Sequence, residues 1–129
     1  MKEESAPDLL FVTNGLPPEQ VGGVELHALH LGRRLRELGL AVEFYCRGER
    51  EDLEEYRAYQ GRTEDFPVTR VVYRWSRARS LRHIYDDEQL SVILARRLER
   101  SRPRLVHVHH LAGANIPRRC LAVLGQGMV

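Results

Sequence analysis

Nothing in this chain approaches the roughly 18 consecutive apolar residues that a membrane-spanning helix requires; the longest early run is Leu9-Leu10-Phe11-Val12. The opening Met1-Lys2-Glu3-Glu4 carries acids where a signal peptide has a basic stretch and then a longer apolar one, so a cytoplasmic protein with at most peripheral membrane contact is expected. Cysteine is scarce too. Cys46 and Cys120 stand far apart, without the paired spacings of zinc or redox sites and too few to staple a secreted scaffold, and are expected to be buried, reduced thiols. The dinucleotide fingerprint Gly-x-Gly-x-x-Gly and a Walker lysine are both missing, which disfavours NAD and ATP binding of the usual kinds. Lysine itself is almost absent, with Arg supplying nearly all the positive charge.

The chain does contain enough apolar residues, 43% of 129, to bury the core of one globular domain. Its formal net charge of +2 conceals an asymmetry: residues 1–65 hold 8 basic and 14 acidic side chains, and residues 66–129 hold 12 basic and 4 acidic. A basic half of this kind suits a phosphorylated ligand or an anionic surface, but a solvated basic face is its default, and no nucleic-acid partner is expected.

Periodicity alternates along the chain. Asp8 to Thr13 is a short apolar run closed by Asn14-Gly15 and Pro17-Pro18, which predicts a buried strand feeding a loop. Val24, Ala28, Leu31, Leu35 and Leu38 then fall on one helical stripe, with Gly39 placed as the left-handed cap. Ala41 to Cys46 predicts a second strand, parallel to the first through a right-handed crossover. Residues 47–67 are nearly all polar and predict an exposed insertion with room for one polar helix. Val68 to Trp75 predicts a third strand. Asp86 with Gln89 reads as a capping box for a second helix bearing Leu90, Ile93, Leu94 and Leu98, limited by Pro103. Leu105 to His110 predicts a fourth strand, Pro117 to Leu124 a third helix, and Gly125 to Val129 a turn into another strand. This order describes an α/β fold, a doubly wound parallel sheet with helices on both faces.

Chemistry concentrates at two places. Gly22-Gly23 lies between a strand and a helix N-terminus, where exposed amides and the helix dipole attract phosphate and a side chain would obstruct it. His107, His109 and His110 crowd the carboxyl end of the fourth strand, the end at which open parallel sheets bind ligands; alternation puts His107 and His109 on one face and His110 on the other. Hydrogen-bonded packing and contact with a sugar or phosphate both remain open for these imidazoles. With His27 and His30 they raise a metal site, which a lack of nearby carboxylates disfavours. Trp75 reads as a packing residue, and Arg77, Arg79 and Arg82 as a solvated loop.

Taken together, Leu10-Phe11-Val12-Thr13 leading to Pro17-Pro18-Glu19-Gln20-Val21-Gly22-Gly23-Val24-Glu25, the helix ending at Leu38-Gly39, and Pro103-Arg104-Leu105-Val106-His107-Val108-His109-His110 resemble the N-terminal domain of family 4 glycosyltransferases of the GT-B fold. Arg104 departs from the family, which often has Asp there. The resemblance implies a Rossmann-like half, spanning residues 1–129 as a partial domain whose sheet is incomplete at its C-terminal end. It implies retaining transfer of a sugar from a nucleotide-sugar, which is a substrate rather than a cofactor, to a sugar-containing or lipid-linked acceptor. Gly22, Gly23 and Val24 would lie against the donor diphosphate, and Asn14, His109 and His110 would line the acceptor cleft. Catalytic residues are expected beyond residue 129, and a C-terminal domain, in cis or in trans, would supply most donor contacts, so little activity is expected of this chain alone. The alternative is a non-catalytic Rossmann-like module that binds a phosphorylated small molecule or a partner protein.

Overall fold

The computed structural model describes residues 6–74 and 87–109. Within them the chain forms β1 (Leu9–Val12), α1 (Gly23–Glu37), β2 (Val42–Gly48), β3 (Ala58–Thr63), β4 (Phe66–Val72), α2 (Glu88–Ser101) and β5 (Leu105–Val108). The five strands make one sheet in the order β3-β4-β2-β1-β5. β1 lies parallel to both β2 and β5, with Phe11 opposite Phe44 on one side and His107 on the other, and β4 lies parallel to β2. The third helix and last strand expected from the sequence, with Trp75, Asp86 and His110, fall outside the described residues. No helix among those described is long and apolar enough to cross a membrane.

Strand alternation divides the core in two. Phe11, Val42, Phe44, Cys46, Phe66 and Val68 face α1, where they meet Ala28 and Leu29. Leu10, Val12, Tyr45, Val71 and Tyr73 face α2, where they meet Leu90, Leu94 and Leu98. The sheet is therefore covered on both faces, which explains why β1 reads as a continuous apolar run rather than an alternating one.

α1 packs through a line turned from the expected stripe. Glu25, Ala28, Leu29 and Gly32 are buried, whereas Val24 and Leu38, at the stripe's two ends, are 39% and 77% exposed. The small residues decide the contact. A Cβ on Gly32 would sit 3.2 Å from Phe44 Cζ and 3.4 Å from Phe66 Cζ, so glycine lets the helix axis approach the sheet closely. At the far end Gly39 does adopt φ +90°; its N–H donates to Arg36 O at 2.9 Å, and Leu40 N–H donates to Leu35 O at 3.1 Å. These are the paired bonds that satisfy the last carbonyls of a glycine-capped helix.

The segment before β4 and the start of α2 also differ from expectation. Residues 47–67 contain no helix: Ala58–Thr63 forms an antiparallel edge strand on β4, so the sheet is parallel with one antiparallel addition. Its side chains are mostly exposed, as suits an edge strand, and so carry no apolar signal. The β3–β4 turn is made by Glu64 and Asp65, both at positive φ (50° and 68°), as a two-residue hairpin requires, but without the glycine that usually announces one. Arg33 and Arg36 of α1 hold this turn, Arg33 Nη2 reaching Glu64 Oε2 at 2.7 Å and Arg36 Nη1 reaching Glu64 O at 2.8 Å. The second difference lies at the helix cap. The N-cap of α2 is Asp87 rather than Asp86; its Oδ1 accepts from Gln89 N–H at 2.9 Å and Leu90 N–H at 3.2 Å, and with Leu90 at the third helical position the cap is one-sided, without the expected box.

Candidate functional site at the sheet switch point

From β1 the chain winds one way, through α1 to β2 and on to β4; after α2, on the opposite face, β5 lies against the other edge of β1. The order thus reverses between β1 and β5, and the crevice beyond the carboxyl ends of strands at such a reversal is where open α/β sheets bind ligands. Asn14 follows β1 there and His109 follows β5, tied to β1 by its N–H donating to Val12 O at 2.8 Å. His109 lies 4.8 Å from the Phe11 ring, stacks on His107 at 4.1 Å and meets His27 of α1 at 6.1 Å between centroids.

Burial, reinforced by the neighbouring imidazoles of His107 and His27, pushes the His109 pKa down from 6.5 to about 4. The ring is therefore neutral near pH 7, with one nitrogen able to accept a hydrogen bond. Its Nε2 and the Oδ1 of Asn14 are both buried without a hydrogen-bond partner among the described residues. A buried polar atom left unpaired costs on the order of 1–3 kcal/mol, so two of them at one crevice mark a place that a hydroxyl-bearing ligand would satisfy. Among the described residues no three His, Cys, Asp or Glu side chains converge as metal ligands.

The α1 N-terminus opens toward the same end of the sheet. Gly22 is its N-cap with no side-chain cap, and its carbonyl accepts the first helical bond, from Leu26 N–H at 3.0 Å. The amides of Gly23, Val24 and Glu25 precede that first bond and have no intrahelical acceptor. The two glycines differ. A Cβ on Gly22 would lie 2.5 Å from Glu25 Oε2, because that buried carboxylate folds back over the first turn, whereas a Cβ on Gly23 would meet nothing within 4 Å. Gly22 makes room for Glu25, and only Gly23 leaves open space outside the helix.

The loop between these parts is moored by a network that single-residue reading of the sequence missed. Glu19 accepts from Tyr59 Oη at 2.8 Å and from Glu49 N–H at 2.9 Å, and pairs with Arg70 Nε at 2.9 Å. Arg70 also donates to Pro17 O at 3.1 Å, and the Thr63 hydroxyl donates to the same carbonyl at 3.0 Å. An arginine inside the apolar run Val68 to Val72 is the signal that was available, since a buried guanidinium requires an anionic or carbonyl partner. A cavity of about 520 Å³ is lined by residues of α2, β2, β3 and β4.

A family model described as Glycosyltransferase Family 4 matches residues 21–125. The chain belongs to glycosyltransferase family 4. The matched span begins just before Gly22 and includes Gly22, Gly23, Val24, His109 and His110, while Asn14 precedes it. No curated protein and no solved structure matches the chain. Family membership as an N-terminal domain agrees with the Rossmann-like half described above, and sets its general function as that of a glycosyltransferase with sugar-related substrates.

Proposed function

We propose that this family 4 domain is the acceptor side of a retaining GT-B enzyme that moves a sugar from a nucleotide-sugar to a sugar-containing or lipid-linked acceptor. The observation that carries the reading is the pair of buried atoms without a partner among the described residues, Asn14 Oδ1 and His109 Nε2, at the same sheet end as the N-terminus of α1, whose N-cap Gly22 offers no side chain. A sugar hydroxyl both donates and accepts, so it suits a neutral imidazole and an amide carbonyl.

The amides of Gly23 and Val24, which have no intrahelical acceptor, and the helix dipole behind them suit the donor diphosphate. Gly23 admits it as it stands; contact at Gly22 needs the Glu25 carboxylate to turn aside. A second domain, in cis or in trans, would hold the nucleotide and most of the sugar and supply the groups that assist bond cleavage. The nucleotide-sugar is consumed as substrate, with no separate cofactor, and this domain alone is expected to transfer little.

The test uses the natural polypeptide from the source cells, unaltered and as Gly23→Val, with labelled UDP-, GDP- and ADP-hexoses and measurement of label in glycan or lipid. Open space at Gly23 predicts an unchanged melting temperature, and obstruction of the phosphate predicts transfer reduced about tenfold or more. Unchanged transfer in Gly23→Val, or no transfer from any of the three donors by the unaltered protein, would sink the reading.

A further inference from the structure

The strand absent from the sequence reading builds one wall of a second candidate site. On the α2 face, between α2 and β3, a groove of about 520 Å³ is lined by Arg97 and Arg100 of α2, Glu43 of β2, Pro67 of β4, and Gln60 and Arg62 of β3. Beside it a cavity of about 210 Å³ shares Gln60, Arg97 and Arg100 and adds Arg96. Glu43 and Pro67 lie toward the amino-terminal ends of their strands, and α1 covers the other face, so the groove is remote from the switch-point crevice.

Charge in the groove is not balanced. Its carboxylate, Glu43, is already engaged by Arg97 Nη2 at 2.8 Å. Arg62 donates from Nη2 to Asp65 O, a carbonyl that leaves its positive charge uncompensated. Arg96 and Arg100 are exposed and make no hydrogen bond or ion pair among the described residues. Like charges at i and i+4 on a helix, as at Arg96 and Arg100, repel each other, and Arg97 adds a third cation between them. The C-terminal end of α2 eases that repulsion through its dipole, but it gives the guanidinium N–H groups nothing to bind. Gln60 also lines the groove, its carbonyl accepting from the Thr69 hydroxyl at 3.1 Å and its amide N–H₂ being a further donor.

Cations on two facing elements around a groove of this size suit a ligand with anionic groups at both ends, and the planar fork of arginine matches phosphate oxygens two at a time. We propose that the groove between α2 and β3 binds a small molecule carrying two linked phosphate groups, at a site separate from the switch-point crevice.

Inorganic pyrophosphate titrated calorimetrically into the chain carrying Gly23→Val, in which the helix N-terminus is obstructed, tests the groove by itself. One equivalent should bind, more weakly as salt is raised. Arg100→Ala should weaken binding about tenfold or more and Arg96→Ala with Arg100→Ala further still, while Arg100→Lys restores part of it. Both arginines are exposed and unpaired among the described residues, so these variants keep the fold. Arg34→Ala, removing an exposed charge on α1, should leave binding unchanged. Absence of binding, equal binding once Arg100→Ala is added, or loss on adding Arg34→Ala would each overturn the proposal.

Discussion

Acidification should destabilise this domain through His109, by an amount that one substitution isolates. Partial burial keeps the imidazole neutral in the folded chain down to about pH 4, whereas the unfolded chain takes up the proton near its ordinary value of 6.5. Between those values the unfolded state binds more protons, so stability falls as pH falls through the window and levels off below it. The full displacement corresponds to roughly 3 kcal/mol at 1.36 kcal/mol per unit. Solvent reaches part of the ring, and screening brings the expected loss to about 1–2 kcal/mol. The assay is urea unfolding of the native chain and of His109→Gln across that window. Acid effects on the ion pairs are common to both proteins and cancel in the difference. The stability difference between the two should change by about 1–2 kcal/mol, with the native chain losing more on the acid side. A flat difference, or an NMR titration placing the His109 midpoint near 6.5, would refute the reasoning.

Asp87 caps α2 with Oδ1 while its Oδ2 accepts from Tyr56 Oη at 2.7 Å; Asp87→Ala should therefore cost about 2–4 kcal/mol and Tyr56→Phe about 1–2 kcal/mol, with a double-mutant cycle in urea showing the coupling. Equal losses in the two single variants would contradict a role for the cap. Gly39→Ala places a Cβ at φ +90° and should lower unfolding free energy by about 1 kcal/mol; no change would mean that the helix end rearranges at little cost. Burial pushes the Cys46 thiol up to about 12, so iodoacetamide should leave its peptide unmodified in the native chain and alkylate it in denaturant, as mass spectrometry would read. Rapid native alkylation would show that the α1 face of the core opens.

Most of the fold was legible because its signals are local. β1, β2, β4 and β5 announce themselves as short apolar runs, and α1 and α2 as stripes at helical spacing, one closed by Gly39 and the other opened by an aspartate. β3 was not legible, because an exposed edge strand is polar on both faces and its turn uses Glu64-Asp65 where Asn-Gly would be the recognisable pair. Which line of α1 is buried was misjudged for a related reason: hydropathy weighs Leu38 above Gly32, whereas the contact with Phe44 and Phe66 is decided by how close the backbone comes.

The candidate site divides in the same way. Placement of Asn14 and His109 after parallel strands, and of Gly23 at a helix N-terminus, follows from the order of elements along the chain, since a parallel sheet puts all those ends on one side. Tertiary structure alone showed that Asn14 Oδ1 and His109 Nε2 lack partners among the described residues, that Gly22 serves Glu25 while Gly23 faces open space, and that Glu19, Tyr59 and Arg70 hold the intervening loop. It also brought Arg62 within one groove with Arg97 and Arg100. Periodicity records which face of an element is apolar, a property that each short segment carries by itself. Partners are chosen between segments far apart in sequence, by the register and order of the strands, and only the assembled sheet specifies those.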